Sequence, residues 1–251
     1  MAYTGRHSYF LCFLQFVFRR SPARLAVKKY AHAKREEDFF TCNQPEGPPC
    51  GTGLKNNYFC RMDSSLRYTA RDLTAELPAA EYIARFRDAG RIGGYCRTCP
   101  NYERSWGCPP FGFDVDEYLA GYASALLVAT KIVPETRGIP ISESGRLIRP
   151  ERLRLEARLL EMERLYGGRS FAYVGTCLHC PEGSCTRPAG KSCRHPDKVR
   201  PSLEACGFDI ARTTSELFGI DLKWGSEGCI PEYLTLVCGF FHNADSVIWN
   251  E

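Results

Sequence analysis

The stretch 123–133 reads ASALLVATKIV, an almost unbroken apolar run between glycine at 121 and proline at 134. Bounded by glycine and proline, it fits a buried strand. A second segment, 151–166, has the other period. Leu155, Leu159, Met162 and Tyr166 recur at i, i+4, i+7 and i+11, one stripe of an amphipathic helix, with Gly167 and Gly168 ending it. The charges off that stripe fit a solvated face.

Working outward, residues 71–90 read as a short extended piece followed by a helix. Pro78 sits in its first turn, Ile83 and Phe86 point inward, and Gly90, Gly93 and Gly94 close it. Asp114 is placed to cap a helix through Leu119. Residues 171–176 and 233–241 are further apolar strands; Ser202 caps a short helix, and Thr213 or Thr214 begins another. Helices interspersed with buried strands predict an α/β or α+β fold, a small central sheet flanked by helices.

Two groups of cysteines carry the chemistry. One is Cys96-x2-Cys99-x8-Cys108; the other is Cys177-x2-Cys180-x4-Cys185-x7-Cys193. In C-x2-C the backbone turns so that both sulfurs face one point, and the amides of the turn stabilise thiolate charge. Proline follows Cys99, Cys108 and Cys180, stiffening the chain as it leaves a ligand. The second group supplies a full set of four thiolates for a 4Fe-4S cluster, with zinc as the alternative. The first supplies three. Its fourth position is open, or is filled by Cys206, Cys229, Cys238 or a non-cysteine group; alternatively the segment closes over the same metal region. Both groups are expected in loops beside the sheet. Cys206 and Cys238 read as small buried apolar residues. His195 is an alternative ligand or a packing residue. Tyr102, Trp106, Phe111 and Phe113 interleave with the first group, as a shield or as a plain aromatic core.

The bulk composition is that of a globular chain: 251 residues, 44% hydrophobic and 25% charged. Fourteen bunched cysteines in a chain this long favour metal-bound thiolates in a reducing cytoplasm over a disulfide framework. No apolar run reaches the roughly 18 residues that span a bilayer, so no membrane partner is expected. Residues 1–61 hold 10 Lys/Arg against 4 Asp/Glu, whereas 62–251 hold 23 against 25. The basic excess therefore belongs to the N-terminal stretch, and the remainder lacks the footprint of a nucleic-acid binder. Residues 9–18 are apolar and aromatic, with Arg19 and Arg20 after them, a loose match to a secretory signal. Residues 1–61 read as translated sequence upstream of a true start at Met62 or, alternatively, as an atypical flexible basic leader, with 62–251 a single cysteine-rich metal-binding domain.

The segments GYCRTCPNY (94–102), WGCPPF (106–111), CLHC (177–180), Cys185 and CRHPDKVRPSLEACG (193–207) together resemble a family of predicted metal-binding proteins found mainly in anaerobic bacteria and archaea. The resemblance covers residues from about 62 to the C-terminus. It implies metal ligation at Cys96, Cys99, Cys108, Cys177, Cys180, Cys185 and Cys193, in a cytoplasmic protein, and it implies no particular reaction. Cys206 departs from the aliphatic residue the family would place there.

From the residues, three functions follow. The first is an iron–sulfur protein transferring electrons to a redox partner. The second is an enzyme with an open metal position for a small-molecule substrate at the three-cysteine segment, near Arg104, Asp114 and Asp116. The third is a zinc-stabilised interaction module.

Overall fold

The apolar stretch is strand β2, Ser124–Pro134, and it lies inside a sheet with a partner on each side. The computed structural model describes residues 66–172 and 177–249. The leader at 1–61, the start at Met62 and the second half of the strand expected at 171–176 lie outside the described residues. In chain order the elements are β1 (Tyr68–Pro78), α1 (Ala79–Phe86), α2 (Ala89–Thr98), α3 (Val115–Leu119), β2, α4 (Ser144–Tyr166), β3 (Arg169–Phe171), α5 (Ile210–Thr213) and β4 (Leu234–His242). The four strands order as β1-β2-β4-β3, and each neighbouring pair is antiparallel.

The side-chain alternation of β2 explains its unbroken apolarity. Ala125, Leu127 and Ala129 face one core, with Tyr82 and Phe86 of α1, Phe208, Val237 and Phe241. Leu126, Val128 and Ile132 face the other, with Leu147, Leu155, Leu159 and Met162 of α4, Cys238 and Phe240. The sheet is thus sandwiched between α4 on one face and the smaller helices on the other. Each large side chain buried this way contributes about 1.5–3 kcal/mol. Among the described residues, no helix is long and apolar enough to cross a membrane.

Several local expectations are revised. Gly90, Gly93 and Gly94 do not terminate a helix; they lie within α2. Asp88 caps that helix by accepting from the Arg91 N–H at 3.0 Å, and burial of Ile92 and Cys96 outweighs the roughly 1 kcal/mol that each helical glycine costs. Ile83 packs against the core as expected, and Tyr82, fully buried, joins Phe86 inside it. Helix α4 begins a turn and a half before Pro150, so that Leu147 and Ile148 are also buried. A helical turn begins at Thr214, as expected for a start at Thr213 or Thr214, but it continues α5, which starts at Ile210 where Asp209 accepts from the Arg212 N–H. Asp114 caps α3 as expected, accepting from Asp116 N–H at 2.7 Å and Glu117 N–H at 3.1 Å.

The turn from α4 into β3 leaves no space for a side chain. Gly168 has φ +94°, and a Cβ there would lie 2.4 Å from the Phe241 carbonyl oxygen. Gly168→Ala combines left-handed strain with backbone overlap, so it is expected to cost about 2–5 kcal/mol, read as a lowered midpoint in urea. An unchanged midpoint would show that the β3–β4 pairing can shift at no cost.

Candidate metal centre

The two cysteine segments leave the sandwich at different places and meet beside the β3 edge. Cys96 is not in a loop: it occupies the last turn of α2 and is 5% exposed. Cys99 caps that helix, its N–H donating to the Cys96 carbonyl at 3.0 Å, because a helix ends naturally before proline, here Pro100. A series of tight turns follows, with Tyr102 N–H donating to the Cys99 carbonyl and Cys108 N–H to that of Ser105, both at 3.0 Å.

The second segment is an excursion from β3. Ala172 N–H donates to the Pro201 carbonyl at 2.9 Å, so the chain returns at 201–202 alongside the point where it left. Helix α4 anchors the excursion at two places. Glu163 takes both Nε (2.8 Å) and Nη2 (2.6 Å) of Arg200 and also accepts from Ser170 N–H. Burial works against ionisation of Glu163, but Arg200 and Ser170 overcome it and hold the carboxyl below its usual range. Nearer the cysteines, Nε2 of His179 lies 2.7 Å from Oε1 of buried Glu156, close but not aligned as a hydrogen bond.

Arg187 fastens the two segments together. Its guanidinium donates to the carbonyls of Ser105, Cys108 and Pro110 and lies over the Trp106 ring. Trp106 Nε1 donates to Thr186 Oγ1 at 3.3 Å. Gly107 is the closest approach: a Cβ on it would stand 3.2 Å from the Arg200 carbonyl oxygen and 3.8 Å from Cys177 Cβ. Residues separated by 77 positions, between Cys99 and Cys177, are thereby brought into one region.

The thiols influence one another across this seam. Burial pushes Cys96 up to about 12, and the charges of Glu204, Cys99 and Cys108 add to it. Cys108 is pushed to about 11 by burial and Cys99, with Cys177 adding further, against the Ser105 hydrogen bond and Arg187. Cys177 also reaches about 11, by burial first and then Glu156, Cys193 and Cys180, against the His179 N–H. Crowded thiols of this kind stay protonated until a cation takes the place of the protons.

The donor set suits a thiophilic metal, since soft thiolates select zinc and iron–sulfur clusters. Donors already point at the sulfurs: His195 N–H lies 3.3 Å from Cys193 Sγ and Arg194 Nη1 3.9 Å from Cys180 Sγ. Among the described residues, however, no three Cys, His, Asp or Glu side chains converge on one point at ligand distance. The sulfurs are neighbours, not a closed cage. Cys185 follows a turn closed by Ser184 N–H and the Pro181 carbonyl, and its place in the set rests on spacing.

The other candidates take structural places. Cys206 and Cys238 are 2% and 0% exposed, in the cores on opposite faces of the sheet. Cys229 is half-buried in a turn bridged to Pro140. Asp114 is a helix cap, and Asp116 receives Arg87 at 2.5 Å. The His195 ring is 5.8 Å from that of His179. Phe111 stacks on Phe113, Phe113 on Tyr118, and Tyr118 meets the core edge-on at Phe171, which makes these rings packing. The residue that sequence reasoning missed is Glu204. It is 3% exposed, and burial raises its carboxyl to about 7. Its place two positions after the capping Ser202 gives no hint of burial, because acids there are ordinarily solvated.

No curated protein and no solved structure matches the chain. A family model described as "Predicted metal-binding protein (DUF2284)" matches residues 85–238, more than half of the chain and a span that includes both cysteine segments. The seam between two thiol groups and the family match agree, and the chain belongs to the DUF2284 family of predicted metal-binding proteins.

Proposed function

We propose that the chain is an iron–sulfur protein of the cytoplasm that carries electrons for a redox partner. A 4Fe-4S cluster sits on Cys177, Cys180, Cys185 and Cys193, and a second metal on Cys96, Cys99 and Cys108. The observation carrying this reading is the neighbourhood of Cys177, Cys180 and Cys193, with N–H donors aimed at their sulfurs. Such donors stabilise thiolate charge and tune the potential of a cluster. A bound cluster supplies a reversible one-electron step. The chain's own residues hold it: α4 fixes both ends of the excursion through Glu156 and Glu163, Arg194 offsets negative charge at Cys180, and Arg187 locks the first segment over the second.

The full chain purified without oxygen should be brown, should contain about four iron and four sulfide from the second set, and should lose its visible absorbance on reduction. Stoichiometric zinc without iron would overturn this reading and leave a zinc-stabilised module. A spectrum that shifts on adding small metabolites would instead favour an open catalytic position.

A further inference from the structure

The three-cysteine set lacks a fourth cysteine, and among the described residues the cysteines outside the two sets are poorly placed to provide one. Cys238 lies in the core on the α4 face, Cys206 is packed with Tyr82 and Phe208, and Cys229 is tied to the turn at Pro140. We propose that Glu204 supplies it, so that a metal on Cys96, Cys99 and Cys108 is closed by a buried carboxylate. The proposal rests on metal being held at that set.

Two observations carry it. First, the Glu204 side chain is buried and one of its oxygens, Oε2, has no hydrogen-bond partner, although the Ser202 hydroxyl and its own N–H favour the carboxylate. A buried anionic oxygen without a partner is strongly disfavoured unless something positive arrives. The nearby Arg87 does not fill that role, because its guanidinium serves the Cys206 carbonyl (2.8 Å) and Asp116. Second, Glu204 stands on the 3₁₀ turn Glu204–Cys206, against which α2 packs, and Cys96 Sγ lies 4.0 Å from the Glu204 carbonyl oxygen.

Three thiolates and one carboxylate oxygen complete four-coordination for zinc or iron, both of which accept this mixture. Arg97 beside Cys96 and Arg187 beside Cys108 offset the resulting negative charge. The first site is then filled by the chain itself and keeps no position free for substrate.

The test compares the full-length wild type with Glu204→Gln, which keeps the shape and removes the charge. Both are loaded anaerobically with zinc. Wild type should hold two metal equivalents. Glu204→Gln should lose one of them, or surrender it to a chelator at least about tenfold faster. Iodoacetamide followed by mass spectrometry should then label Cys96, Cys99 and Cys108 while the 177–193 thiols stay protected. A merely structural Glu204 predicts the opposite, unchanged stoichiometry, chelator rate and labelling, and that result overturns the proposal. Should Glu204→Gln fail to fold, cadmium-113 NMR of the cadmium-loaded wild type decides. One all-sulfur and one sulfur–oxygen resonance are expected, and two all-sulfur resonances, or only one resonance, would sink it. Absence of any bound metal in wild type would mark failure of the metal reading itself.

Discussion

Cys180→Ala, prepared without oxygen, is expected to lose the cluster of the second set outright, falling from about four iron per chain to well below one from that site. Cys180 is half-buried on the excursion beyond β3, outside both cores. The sandwich of β2 between α4 and the smaller helices should therefore persist, with far-UV circular dichroism close to wild type. The sulfur removed lies 3.9 Å from Nη1 of Arg194, so the variant also takes an anionic partner from that guanidinium. Iron analysis and visible absorbance provide the check. Undiminished iron and colour in Cys180→Ala would remove this residue from the ligand set and with it the argument from C-x2-C spacing.

Arg154→Met should be the most destabilising change on the α4 face, at about 3–5 kcal/mol. Asp72 on β1 is nearly inaccessible, with its side chain 2% exposed, and receives Nη1 and Nη2 of Arg154 at 2.9 and 2.8 Å. Thr130 and Trp249 donate to the same carboxylate at 2.6 and 2.9 Å. Burial alone would raise the Asp72 carboxyl, but Arg154 and these two donors reverse the sign and hold it below the ordinary carboxylate range. The folded state therefore binds fewer protons than the unfolded one. The stabilisation is complete above the ordinary carboxyl value of about 3.9 and is lost as pH falls through the lower folded value. In Arg154→Met the charge is buried without its counter-ion and its pKa moves up instead. The deficit relative to wild type should then be largest near neutral pH and shrink on acidification toward pH about 4. Urea unfolding at several pH values measures this directly; a deficit that does not depend on pH would mean that Asp72 is not the group responsible.

The elements that could be read from the sequence are those whose signals are local. Leu155, Leu159 and Met162 mark the buried stripe of α4 by their spacing, and all three are at most 1% exposed. Asp114 and Ser202 announce their turns because a capping oxygen needs only an amide two or three residues on. Local signals also misled. Three glycines in six residues argue for a break, yet α2 runs through them because its Ile92 and Cys96 are buried. Thr213 or Thr214 reads as a helix start, yet the chain is already helical from Ile210, and the Thr213 hydroxyl donates back to the Asp209 carbonyl at 2.8 Å.

The spacing of Cys96, Cys99, Cys177 and Cys180 on its own points to metal-type chemistry, which the family match supports, and the apolar run at 123–133 points to a buried strand. Both follow from what neighbouring residues can do together. Only the tertiary structure could bring Gly107 against Cys177, pin Arg200 to Glu163 and seal Glu204 away from water. These contacts join positions tens of residues apart, and the antiparallel order β1-β2-β4-β3 decides which chain ends emerge side by side. No pattern within a short window encodes that proximity, because it depends on the summed burial of the whole sandwich.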